Sequence, residues 1–230
     1  MTAGRLPAEP GSMLIETRPP RQRTVGPQLW AMISGITGLA ANLLLVLFFL
    51  LAQPFGVARP GFMWLGTAND WVIVIQFLTL VPVALALRSR LPATRAVALA
   101  TAAAVAAMVG TAVLQVLLIA GVLGFDVQVW LVVPLFLVIY GWVLTASSAG
   151  HRHGTLPRPL TRFGLLLGMC FPLGLLIAAA GLPFGWGSVA QLAFGVPGLL
   201  VGGLSWLAFP VWPLLLARLV FTTRNEKGMS

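Results

Sequence analysis

Six apolar runs, each long enough to cross a bilayer and none broken by an internal charge, dominate this 230-residue chain: about 28–53, 70–88, 96–124, 127–149, 163–182 and 188–218. At 1.5 Å per residue, about 18–20 residues span the hydrocarbon of a membrane. The pattern therefore predicts an all-α, polytopic transmembrane helical bundle of six spans. Composition agrees: 8% of the residues are charged, against roughly 25% in soluble domains. Mean hydropathy is +0.97.

The loops predict an orientation. Of the 14 basic residues, all except Arg59 fall on one side, in the N-terminal stretch (Arg5, Arg18, Arg21, Arg23), between spans two and three (Arg88, Arg90, Arg95), between four and five (Arg152, Arg158, Arg162) and at the end (Arg218, Arg224, Lys227). By the positive-inside rule both termini are cytoplasmic. Trp64, Trp71, Trp130 and Trp186 fall near the outer span ends, and Trp30, Trp142 and Trp212 nearer the inner ones, as headgroup-level rings should. The same clustering in short loops explains the net charge of +9 without nucleic acid. Thirteen arginines against one lysine, with much Ala, Gly, Leu, Val and Pro, point to a GC-rich genome and a bacterial plasma (inner) membrane. The first run is too long, and begins too far along the chain, for a cleavable signal peptide.

Three regions are expected: a disordered basic cytoplasmic tail over 1–26, a six-helix membrane domain over 27–222 and a short cytoplasmic tail over 223–230. The tail's "RPPRQR" suits anionic lipid headgroups, at about 1 kcal/mol per basic residue near the surface. The membrane domain reads as three helical hairpins. Pro92-Ala93-Thr94-Arg95 and Pro159-Leu160-Thr161-Arg162 stand at equivalent span starts, 67 residues apart, and offer a faint trace of a repeated hairpin with Thr caps.

Polar residues at the outer span starts read first as caps. Thr67-x-x-Asp70 and Ser188-x-x-Gln191 have capping-box spacing, and Asp126 suits the positive end of span four. Beneath the two acids lie three interior amides. Counted from the span ends, Gln76 is about 9 Å in, Gln115 about 13 Å and Asn42 about 16 Å. They either line an outward-facing polar pocket under Asp70 and Asp126 or tie helices together, at about 0.6 kcal/mol per bond. The small residues of "ALATAAAVAAMVGTA" make span three the expected central helix, with Gly164/Gly168 and Gly198/Gly202 as close-approach pairs. "GVPG" at 195–198 is the expected unwound segment.

Chemistry-bearing residues are sparse. Cys170 is the single cysteine and lies inside an apolar span, so no disulfide or thiolate metal site within the chain is expected. His151 and His153 share an Arg-rich loop without a neighbouring carboxylate, a poor metal site. No span holds a histidine for haem or a lysine for a Schiff base. Ser205 has no base within its span, and no catalytic glycine or zinc motif occurs. No cofactor and no enzyme activity are expected.

The sequence from "GLAANLLLVLFFLLAQPFG" through "WLGTANDWVIVIQFLTLVPVALAL" to "FPVWPLLLARLV" resembles a broad group of uncharacterised six-helix bacterial integral membrane proteins. The resemblance spans 28–221 and implies topology alone. The leading functional expectation is an accessory or interaction subunit of a membrane complex, contacting a protein partner or a second copy through small-residue helix faces. The alternative is a carrier or binding protein for a small neutral or cationic solute or lipid, held by Asn42, Asp70, Gln76, Gln115 and Asp126.

Overall fold

The computed structural model describes residues 26–54, 57, 59–185 and 187–221. The expected tails up to residue 25 and beyond 222 lie outside the described residues, as do Trp186 and the basic residues of those tails. The elements are α1 (Pro27–Leu47), prolonged by a wide π turn (Phe48–Ala52), a short 3-10 turn (Pro60–Phe62), α2 (Trp64–Arg88), α3 (Arg95–Ile119), α4 (Phe125–Arg152), α5 (Arg158–Ala180), a second 3-10 turn (Leu182–Phe184), α6 (Val189–Ala208) and α7 (Val211–Leu216), which closes in another π turn (Ala217–Phe221). Six of the resulting helical segments are long and apolar enough to cross a membrane. Each sequence neighbour packs antiparallel on the next, as the pairs Gly38–Gln76, Asp70–Gln115 and Gly164–Ser147 show. The ring closes where α1 meets α7. The α1–α2, α3–α4 and α5–α6 connections thus gather at one end, called here the turn end. Arg88, Arg90, Arg95, Arg152, Arg158, Arg162 and Arg218 gather at the other, the terminal end.

The helix starts follow local chemistry, although not always at the expected residues. Thr94 caps α3, its Oγ1 accepting from the Val97 amide at 3.3 Å. Ser188 caps α6, its Oγ accepting from the Gln191 amide at 3.0 Å. The Gln191 side chain reaches back one residue further than a capping box, to the Gly187 amide at 2.6 Å. Gly187 makes that possible by adopting φ +79°. Thr161 is no cap: α5 starts at Arg158, and the Thr161 hydroxyl donates to the Arg158 carbonyl within the first turn. The two Pro-x-Thr-Arg segments therefore do different work, which removes the main support for a repeat.

Three further expectations are corrected. α2 begins at Trp64, six residues before Asp70, so neither Thr67 nor Asp70 is a cap. The early start takes Gly66 into the first turn, where its bare surface leaves room for the Phe48 ring. Asp126 sits in the first turn of α4, behind the N-cap Gly124, where its charge still suits the helix dipole. "GVPG" does not unwind, and α6 runs unbroken through Pro197. The break comes at Phe209-Pro210 instead. Pro210 and Pro213 between them remove the donors that Trp206 and Phe209 carbonyls would use, and Phe209 and Trp212 amides cover those carbonyls with tighter three-residue bonds at 3.1 and 3.0 Å.

α3 is a wall of the ring rather than its hub. It packs on α2 and α4 and exposes Leu99, Ala102, Ala103, Ala106, Val109 and Val113. The small residues that were expected to centre it instead leave much of its surface flat toward the membrane. Close approach occurs between α5 and α6, where a Cβ on Gly174 would strike the backbone of Gly202 and one on Gly198 that of Ala178. The deepest core lies toward the terminal end, where the Trp142 and Trp212 rings meet edge to face at 5.4 Å. Arg90 fastens the last turn there, donating to the Val220 carbonyl and lying 4.6 Å from the Phe221 ring centre. Outward, the pattern of a soluble protein is reversed: Leu99, Trp130 and Leu199 are all more than 70% exposed, the surface expected to face lipid.

Candidate functional site

Neighbouring residues on α2 serve two polar clusters, which touch where the Asn69 amide hydrogen-bonds to the Asp70 carboxylate. With helix phase advancing about 100° per residue, Asp70 turns toward α3 while Asn69 turns toward the centre of the ring.

The Asp70 cluster is a saturated ladder. Gln115 on α3 donates from Nε2 to Asp70 Oδ1 at 2.6 Å, and Gln128 on α4 donates from Nε2 to Gln115 Oε1 at 2.9 Å. The acceptor at one end sets the order, since a carboxylate accepts and each amide then passes a donor along. Gln115 and Gln128 are both buried. Three helices are thereby joined close to the turn end, where α3 ends four residues after Gln115.

The Asn69 cluster surrounds a small cavity of about 20 Å³. Asn69 and Gln76 from α2 and Asn42 from α1 supply its amides; Phe77, Phe136, Tyr140, Trp206 and Phe209 supply an aromatic lining. Gly38 gives Gln76 its place, because a Cβ there would lie 2.5 Å from Gln76 Nε2 and 2.7 Å from the Pro210 ring. The aromatic wall is well packed: Tyr140 stacks on Phe171 at 4.1 Å, and Trp206 meets Phe136 edge to face at 4.5 Å. Asn42 is partly used, donating from Nδ2 to the Leu207 carbonyl at 2.9 Å beside the break in α6. Asn69 is 6% exposed, and its Oδ1 has no hydrogen-bond partner.

A second space opens beside the first. A groove of about 550 Å³ runs between α5 and α6, with Leu45 of α1 on its far side. Leu45 and Trp206 line both spaces. α6 packs along α5, whereas α1 closes the ring mainly against α7. The groove occupies the resulting gap.

The sequence-predicted residues thus divide. Asn42 and Gln76 share the cavity, Asp70 and Gln115 share the ladder, and Asp126 is exposed and belongs to neither. The depth order also reverses. Because α2 starts earlier, Gln76 lies about 18 Å from its helix start, and because α3 ends earlier, Gln115 lies about 6 Å from its end. Asn69 and Gln128 were missed as site residues. Asn69 and Gln76 are seven apart, one helical face, a signal visible in the sequence once α2 is begun at Trp64. Ser205 is occupied structurally, its hydroxyl donating to the Leu167 carbonyl at 3.0 Å. His151 and His153 are exposed at the end of α4. Among the described residues, no three His, Cys, Asp or Glu side chains gather as a metal site. No protein-family description, curated protein or solved structure matches the chain.

Proposed function

We propose that the protein is a membrane-embedded binding protein or carrier, whose ligand presents a small neutral polar group to the cavity at Asn69, Gln76 and Asn42. One observation carries the reading: Asn69, nine-tenths buried and with an Oδ1 that has no partner, lines a cavity together with two more amides. A buried acceptor left unmatched costs about 1–3 kcal/mol. Buried unsatisfied groups call for an explanation in function or in a bound molecule. A hydrogen-bond donor on a ligand supplies one here. No charged side chain lines the cavity, which favours an uncharged ligand over a cation.

The test is thermal stability of the detergent-solubilised protein across a panel of neutral solutes and lipids, for the parent and for Gln76→Met. A ligand that binds the folded form raises the unfolding temperature with its concentration. The reading expects such a compound, with its effect lost in Gln76→Met while the fold persists. Equal stabilisation of both proteins contradicts it.

The setting proposed is a bacterial plasma membrane with both termini in the cytoplasm, supported by the arginines gathered at the terminal end. Cysteines placed at Ser89 and Thr155 should be labelled only after the inner face is exposed; labelling of either in intact cells refutes that orientation. An accessory-subunit role is the second reading. It is favoured by the flat α3 face of Ala102, Ala103 and Ala106, which suits close approach by a partner helix or a second copy.

A further inference from the structure

We infer that the ligand is a single-chain, uncharged amphiphile with a hydroxyl-bearing head, of the kind represented by a monoacylglycerol, reaching the cavity sideways from the membrane between α1 and α6. This rests on the binding reading above and adds the ligand class and its route.

The cavity is too small for a whole solute. About 20 Å³ holds roughly one water-sized group, since about 10–15 Å³ suffices for one water. Whatever binds there leaves most of its bulk elsewhere. The adjoining groove is the place the structure offers, and its 550 Å³ falls in the range of about 300–1,000 Å³ that accommodates one ligand. Phe171, Leu175, Leu199 and Leu204 give it an apolar lining. Polar cavity and apolar groove, joined at Leu45 and Trp206, have the form of a head and a tail.

The route follows from the helix contacts. α1 meets α6 where Asn42 holds the Leu207 carbonyl, and toward the turn end α6 stays with α5. The Trp206 ring stands between cavity and groove, half-buried and resting on Phe136. Its displacement admits a head group. Head chemistry is set by the unmatched acceptor: Asn69 Oδ1 requires a donor, and Gln76 supplies a second amide to the lining of the same cavity. A carboxylate or phosphate would enter without a cationic partner in a dry site. The chain contributes placement more than affinity, because a tail moving from bilayer to apolar groove leaves one apolar medium for another.

The test uses the full chain in mild detergent with a 1-monoacylglycerol carrying a diazirine near the end of its chain. Photolabelling should concentrate in 171–178 and 198–207. Unlabelled 1-monoacylglycerol should displace the probe at about tenfold lower concentration than the fatty acid of the same chain, the value of one good hydrogen bond. Gly203→Leu should suppress labelling, while Gly203→Ala should retain it; a Cβ there meets only Leu199 Cδ1, at 3.8 Å, so both variants have room to fold. Labelling spread evenly over the lipid-facing sides of α3 and α4, or equal competition by the fatty acid, overturns the inference. A short diol that stabilises the parent but not Gln76→Met, with no groove labelling, would leave the binding reading standing and remove the amphiphile. Failure of every neutral compound, short or long, would remove both.

Discussion

Asp70 and Asn69 are adjacent in sequence and joined by a side-chain hydrogen bond, yet their remaining polar atoms differ in circumstance. Asp70 heads a ladder in which Gln115 and Gln128 each find a partner. Asn69 lines a cavity, and its side-chain carbonyl is buried and unmatched. In a membrane, where no water satisfies a stray donor or acceptor, a saturated polar chain holds helices together. An unsaturated one keeps a place for something else. The difference separates scaffold from site within one turn of α2.

The comparison can be broken by substitution, beginning with the largest expected effect. Gln115→Leu removes both bonds of the ladder and leaves the half-buried Asp70 carboxylate with the Asn69 amide alone, so it should cost about 2–3 kcal/mol of stability. Asp70→Asn keeps an acceptor for Gln115 and should cost much less. Near-equal stability of Gln115→Leu and the parent in thermal unfolding would show that the ladder is ornamental. Gly38→Ala comes next. The new methyl would press on Gln76 Nε2 and Pro210, and overpacking of this kind costs about 1–3 kcal/mol. Because Gln76 must shift, ligand stabilisation should fall along with the unfolding temperature. Unchanged ligand stabilisation would dissociate Gln76 from the site.

The architecture was legible because the physics that sets it is coarse. Uninterrupted apolar runs give helices, and loop chemistry gives their ends, as at Thr94 and Ser188. The start of α2 was not legible, because Trp64, Leu65 and Ala68 are acceptable both in a helix and in an outer loop, and the Thr67-x-x-Asp70 spacing offered a plausible later start. That single displacement of six residues hid the site: it made Asp70 a cap, placed Gln76 near the surface and left Asn69 outside the helix. The break in α6 was equally hidden. Pro197, like Pro82, Pro134 and Pro172, lies within an unbroken helix. Only the pair Pro210 and Pro213, three apart, removes two donors from successive turns, and Asn42 from another helix is needed beside the break. Such a partner becomes visible only when α1 is seen beside α6.

The smallest expected effect on stability belongs to Asn69, and it tests the central claim most directly. In Asn69→Leu the unmatched acceptor disappears together with the amide that donates to Asp70, and apolar atoms take their place. Thermal unfolding of the purified protein, with and without a neutral monoacyl lipid, should show stability within about 1 kcal/mol of the parent's without ligand, the relieved acceptor offsetting the lost bond to Asp70, and no rise on adding it. A loss as large as that of Gln115→Leu, or ligand stabilisation equal to the parent's, would contradict the division of α2 into a scaffold side and a binding side.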